Sequence, residues 1–359
     1  MSRMKSLTLL LALVAQVSLV SATTTTYTVG WCQPNNTSFD TITEALAATP
    51  APNVVQVCPG TYNEQLVITK PVTLEGITVG DAAQVIVAAP SGGLVTNATS
   101  DLGDPIAAQV WVESANGAVT LSNLTVDGTG NNVASGTYIV GVFFQDSPGT
   151  VNRLTIQNQN GNSGGVGLWL EGGSANPTVT VENTNLQAFD YTGMAAETNS
   201  NTSELTATIK GNYLASSFAS ANGIDLLGGQ TATTTGNLIT VGSEGVVIEG
   251  GSGAVSSNKV LSGAVGIALV TDGVSVTNNM VYNNAAQNSF GIIATSATAA
   301  VTGNTIAQFS AGISLQCAAS ANVHSNTILD AAQGLINVPA GAAPSNTYYN
   351  VGTISSGGC

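Results

Sequence analysis

The chain has 359 residues, with 20 acidic side chains against 6 basic ones and a net charge of -14 at neutral pH. That balance excludes nucleic acid and acidic lipid surfaces as partners, because both are held through Lys and Arg contacts. Only 7% of the residues are charged, yet 43% are hydrophobic, so the chain can bury a core and is not a disordered tail.

Residues 1-22 read as a signal peptide: Arg3 and Lys5, an apolar run from Leu7 to Val20, and small residues at Val20-Ser21-Ala22. One exported domain, 23-359, is expected after it, secreted, periplasmic or held at the cell surface. No later segment stays apolar for the roughly 20 residues a bilayer requires, so no membrane span is expected and the chain reads as a monomer. Cys32, Cys58, Cys317 and Cys359 form one pair near each end of the chain. An oxidising compartment turns such pairs into disulfides; three pairings are open, and proximity favours Cys32-Cys58 with Cys317-Cys359. There is no CxxC, and the single histidine, His324, has no ligand-spaced companion, so neither a metal site nor a cofactor is expected.

Further along, Asn recurs ahead of short aliphatic runs, at Asn123, Asn152, Asn183, Asn212, Asn237, Asn258, Asn279, Asn304, Asn326 and Asn346. Glycine-led strands alternate with them, among them Gly141-Val-Phe-Phe, Gly167-Leu-Trp-Leu, Gly223-Ile-Asp-Leu, Gly266-Ile-Ala-Leu and Gly312-Ile-Ser-Leu. Strands of three to five residues on a period of about 22, with no helix-length segment between them, make a solenoid of stacked coils. The N-terminal stretch Phe39-Asp-Thr-Ile-Thr-Glu-Ala-Leu-Ala-Ala48 reads as an amphipathic helix with Thr41 and Glu44 at capping-box spacing, a lid for the first coil.

These residues resemble the right-handed parallel β-helix of the pectin-lyase-like superfamily, an all-β solenoid. Gly303-Asn-Thr-Ile and Ser325-Asn-Thr-Ile look like its tight Asn turns, where stacked amides pair from coil to coil. Val54-Val-Gln-Val-Cys-Pro-Gly-Thr-Tyr-Asn-Glu64, followed by Lys70-Pro-Val-Thr-Leu-Glu-Gly76, is similar to the opening of pectin methylesterases and of many secreted bacterial β-helix proteins. The chemistry of those enzymes is not carried over. Gln145-Asp146-Ser147 echoes one methylesterase motif, but its companions are missing, as are the polygalacturonase motifs. Beyond the leader only Lys70, Arg153, Lys210 and Lys259 could pair with the carboxylates of a uronan.

Registering the glycine-led strands sorts inward from outward positions. Val110, Val142, Leu168, Met194 and Ile224 form one inward column, and Val112, Phe144, Leu170, Ala196 and Leu226 another. Outward stand Trp111, Phe143, Trp169, Ala195 and Asp225, flanked by Glu113, Gln145, Glu171 and Glu197. Flat apolar faces beside hydroxyl acceptors suit a neutral or weakly charged polysaccharide, with segments 123-141 and 152-167 as walls of a cleft. In this reading Trp111, Glu113, Phe143, Gln145, Trp169 and Asp225 bind the glycan. Asp146, Glu171 and Glu197 are candidate catalytic acids, since carboxylates one coil apart start about 4.8 Å from each other. Such a pair raises one pKa or recruits Ca2+. The rival reading is a non-catalytic surface or matrix scaffold in which the aromatics are a satellite core and the acids a solvated face. Segment 91-108 reads as a simple surface excursion.

Overall fold

A computed structural model describes residues 24-78, 84-161, 164-173, 176-199, 204-284, 288-295, 299-315, 321-339, 341 and 343-357. The leader, Cys317 and Cys359 lie outside them. The chain winds as a right-handed parallel β-helix. Each turn of the winding visits three sheets in the same order; the sheets hold 13, 12 and 13 strands, all parallel except Ala98–Thr99 in the third. Val119–Ser122, Thr125–Asp127 and Tyr138–Gln145 make up one such coil, in the first, second and third sheets.

The registered columns lie where alternation puts them. Val142 pairs with Val110 and Leu168, Phe144 with Val112 and Leu170, and all of these are buried in one continuous core. The glycine column of the third-sheet strands, which runs from Gly141 to Gly334, is required by a close approach. A Cβ on Gly245 would sit 2.2 Å from Val260 Cγ1 and 2.5 Å from the Gly266 carbonyl oxygen, so no larger residue fits without moving the next coil. At the N-terminal end helix α1, Ile42–Ala47, places Ile42 and Ala45 over the first coil. Thr41 accepts from the Glu44 N–H at 3.1 Å, and the Glu64 carboxylate accepts from the N–H groups of Ile42 and Thr43 at 2.8 and 2.9 Å. The disulfide between Cys32 and Cys58, 26 residues apart, pins this end.

The Asn turns lie between the first and second sheets. Asn237 Nδ2 donates to Asn258 Oδ1 at 2.9 Å and to the Ile209 carbonyl at 3.1 Å, while its backbone N–H shares the same Oδ1. The same pattern runs unbroken from Asn212 to Asn346. Asn123, Asn152 and Asn183 are not rungs of it. Strand register places Leu124, Leu154 and Thr184 in the ladder column of the earlier coils. Asn123 and Asn183 instead occupy the preceding column, which every described coil from 123 to 325 holds in the left-handed region, with φ of 54° and 53° at these two. Arg153, Gly211, Ser257 and Ser325 fill that column elsewhere, so a sharp turn, and not amide stacking, is what its residues share.

Candidate functional site

The third sheet presents its outward face in two different states. Across residues 106-198 it is covered by the segment 89-105, which folds back so that Ala98–Thr99 pairs antiparallel with Pro105–Glu113. Side chains strap it down. Gln65 binds the Val95 backbone on both sides, Asn97 binds Ala108 likewise, and Asn199 Nδ2 donates to the Asp101 carbonyl at 2.8 Å. Cover therefore comes from the segment expected to be a plain excursion; Val133 of segment 123-141 packs beside it, with Leu94 and Ile139.

Beneath the strap the aromatic row is a second core. Phe143 is 0% and Trp169 5% exposed, packed with Ala98, Ile106, Val140 and Val166, and Trp111 lies at the margin. The row expected to offer open faces to a sugar thus faces the strap. Phe143 and Trp169 meet at 5.8 Å and 62°, and Tyr138 closes on Trp169 edge-on at 5.4 Å. The indole N–H groups of Trp111 and Trp169 are buried without an acceptor.

The acidic column survives as a cluster, with altered membership. Glu171, 2% exposed, accepts from the Asp101 N–H at 2.7 Å and from Gln145 Nε2 at 2.9 Å, so it holds the strap. Gln145 also donates to the Thr99 carbonyl at 2.9 Å. Glu197, its register neighbour, is 7% exposed and accepts no hydrogen bond from a described residue. Burial raises Glu171 to a pKa of about 7, with the charges of Asp101 and Glu197 adding to it. Glu197 also rises to about 7, through burial first and then the charges of Asp104 and Asp101. Asp225, one coil on, accepts from Thr192 Oγ1 at 2.7 Å and from Asn222 at 3.3 Å through Oδ2, and its other oxygen is buried without a partner. Burial outweighs those bonds and lifts it to about 6.

Asp146 stands apart from this column. It occupies a left-handed turn at φ 50° and accepts from the Gly173 N–H at 2.7 Å. Glu113 is half-buried at the end of the row, beside Gln145. Two tyrosines complete the site: Tyr191, 44% exposed, leans on Tyr138 at 5.8 Å. Both phenols are raised, by burial first; Tyr138 adds next at Tyr191, and the charges of Asp104 and Glu197 act on both rings. Neither was singled out from sequence, although both sit at the start of registered strands. Asp101 and Asp104 carried no sequence signal, since a strap that returns over a later coil leaves no periodic trace.

Among the described residues no group of three or more His, Cys, Asp or Glu is placed to hold a metal ion. His324 is exposed and paired with Ser325 at 2.9 Å.

Residues 204–350 match the family described as periplasmic copper-binding protein (NosD), and residues 30–250 the family described as protein of unknown function (DUF1565). The described residues offer no His or Cys set suited to copper, and no step here rests on one. No curated protein sequence matches the chain. Among solved structures it is similar to a GH136 lacto-N-biosidase from Eubacterium ramulus, at 12% identity and a TM-score of 0.57 over 92% of this chain and 67% of that one. It is also similar to the catalytic domain of a GH87 alpha-1,3-glucanase variant in complex with tetrasaccharides, at 13% identity and a TM-score of 0.53 over 92% and 66%. The A-module of the mannuronan C-5 epimerase AlgE6 of Azotobacter vinelandii aligns over 87% of this chain and 92% of its own at 17% identity, with a TM-score of 0.49. At identities this low, the two structures with TM-scores above 0.5 show a shared winding of the backbone and nothing more. With a match spanning 30–250, well over half of its length, the chain belongs to the DUF1565 family.

Proposed function

We propose that this is an exported protein that engages a neutral or weakly charged polysaccharide on the third sheet, at the patch formed by Tyr191, Tyr138, Glu197 and Asp225. The observation that carries the reading is Glu197: a buried carboxyl, free of hydrogen-bond partners among the described residues, on the strand that Tyr191 precedes and near enough for its charge to raise the Tyr138 and Tyr191 phenols. An exposed ring such as Tyr191 stacks on a sugar face, and an unpaired carboxyl meets its hydroxyls. Export is supported by the leader pattern, by the Cys32–Cys58 disulfide and by the periplasmic description of the NosD family. Two of the similar structures are glycosidases by name, which makes a glycan the first ligand class to try.

Processing is a second reading, favoured by the pKa of about 7 at Glu197. A carboxyl still protonated near neutrality can donate its proton to a glycosidic oxygen, with Glu171 or Asp104 as the neighbouring carboxylate. Glu171 is occupied by the strap, so binding without cleavage is the primary expectation.

Calorimetry of the mature chain against a panel of neutral and uronic polysaccharides, with reducing ends assayed in parallel, tests both. Tyr191→Ala should abolish binding while leaving the denaturation midpoint in place. New reducing ends that vanish in Glu197→Gln would establish processing. Silence across the panel would sink both readings and leave the scaffold.

A further inference from the structure

The N-terminal tip of the rod carries a surface that the third-sheet site does not use. Trp31 is 82% exposed, the most open of the large hydrophobic side chains among the described residues. It is held in place, not loose: its neighbour Cys32 is bonded to Cys58, and the Gly30 N–H donates to the Phe39 carbonyl at 2.9 Å. The indole overlooks an open cleft of about 570 Å3, whose other walls include Phe39, Ser38 and the carboxylates of Asp40 and Glu44.

Those two carboxylates are unspent. Neither accepts a hydrogen bond or an ion pair from a described residue, and the N–H groups at the start of helix α1 are already taken by Glu64. Of the four cations beyond the leader, Lys70, Arg153, Lys210 and Lys259, none lines the cleft. An exposed indole beside two unpaired carboxylates is the arrangement that receives a cation, since the ring face and the acids attract the same charge. A guanidinium fits best, because it stacks flat on the ring and still offers donors to a carboxylate at its edge. An acidic partner would be repelled by a chain of net charge -14.

We propose that the Trp31 cleft docks a basic segment of a partner polypeptide, with an Arg or Lys side chain lying on the indole between Asp40 and Glu44. Because Trp111 and Trp169 have buried indole nitrogens, Trp31 is the emitter that reports on this surface. The full mature chain is titrated with a tetra-arginine amide, with tetra-glutamate and with a neutral oligosaccharide, following emission and heat at low and at physiological salt. A saturable emission change with the arginine peptide is expected. Trp31→Ala, read by heat, should weaken binding about three- to tenfold, and Asp40→Asn with Glu44→Gln about as much. Trp31→Phe should restore most of it, and Tyr191→Ala should change nothing, which separates this surface from the glycan patch. Equal affinity in all variants would mean that the overall charge holds the peptide, and would overturn the proposal. So would an emission response to the oligosaccharide alone, or a dimer abolished by Trp31→Ala in a chain that ignores the peptide.

Discussion

The two halves of the rod solve the same stacking problem differently. From Asn212 to Asn346 the coils step by 20 to 25 residues, each turn closed by an amide bonded to its copies and buried in all but the last. Between Thr125 and Tyr213 the steps are 30, 30 and 28, and the ladder column holds Leu124, Leu154 and Thr184, so no amide stack runs in that column. There the contacts are individual: Gln109 fills the glycine column and binds the Val87 and Asp127 carbonyls at 2.9 and 3.0 Å, and accepts from Gln159. The long coils also carry the strap, the aromatic core and the raised Glu171 and Glu197, while the raised Asp225 stands on the first coil of the ladder. A solenoid can thus keep regularity where it needs only length, and concentrate irregular contacts in the coils beside its chemistry.

The sharpest way to break this division is to remove one contact from each half. Trp169→Ala should cost about 3-5 kcal/mol and expose residues 97-105 to hydrogen exchange, while amides beyond 237 keep their protection. If the strap stays protected, the second core is not what holds it. Asn258→Ala should cost about 3 kcal/mol, because Asn237 and the Thr234 carbonyl lose their partners, and should leave the strap untouched. Both are read by denaturant midpoint together with exchange mapped along the chain.

Acidity should separate the halves next. Burial holds Glu171 and Glu197 near 7 against an ordinary 4.5 for the group, so the folded state holds more protons than the unfolded one between those values. Stability from this cluster is therefore fully present below about pH 4.5 and is lost as the pH rises through about 7. Exchange at 97-105, corrected for its intrinsic rate, should quicken across that window, and Glu171→Gln should flatten the response; a strap indifferent to pH would contradict the raised values. The smallest expected effect extends the ladder. The Thr184 N–H already donates to Asn212 Oδ1 at 2.9 Å, so Thr184→Asn adds a rung and should gain about 0.5-1 kcal/mol at the midpoint. A loss would mean that the early coils cannot accept the regular turn.

What could be read from sequence follows the same boundary. The glycine-led strands announce themselves because from Gly141 onward the next coil approaches too closely for a Cβ, and the inward columns follow by alternation. The later Asn rungs are legible for the same reason, each amide being needed by the next. Asn123 and Asn183 misled because Asn also tolerates left-handed turns, and one residue of slip separates the two uses; Asn152 ends a first-sheet strand, ahead of a turn that Arg153 makes. Trp111, Phe143 and Trp169 were correctly placed outward, but the direction of a side chain does not say what lies above it. Their cover, and the acids Asp101 and Asp104 that come with it, arrive from a segment folded back across later coils, a long-range contact with no local pattern.

The amide stack has one further consequence. Every rung from Asn212 onward donates in the same sense, so the side-chain dipoles add head to tail and each bond polarises the next. A file of this kind is strongest in its middle and weakest at its ends. Cutting it at Asn279 makes two short files, whereas trimming it at Asn346 only shortens one. The same substitution should therefore grow costlier toward the centre of the ladder, a gradient set by position along the rod and not by the burial of any one residue.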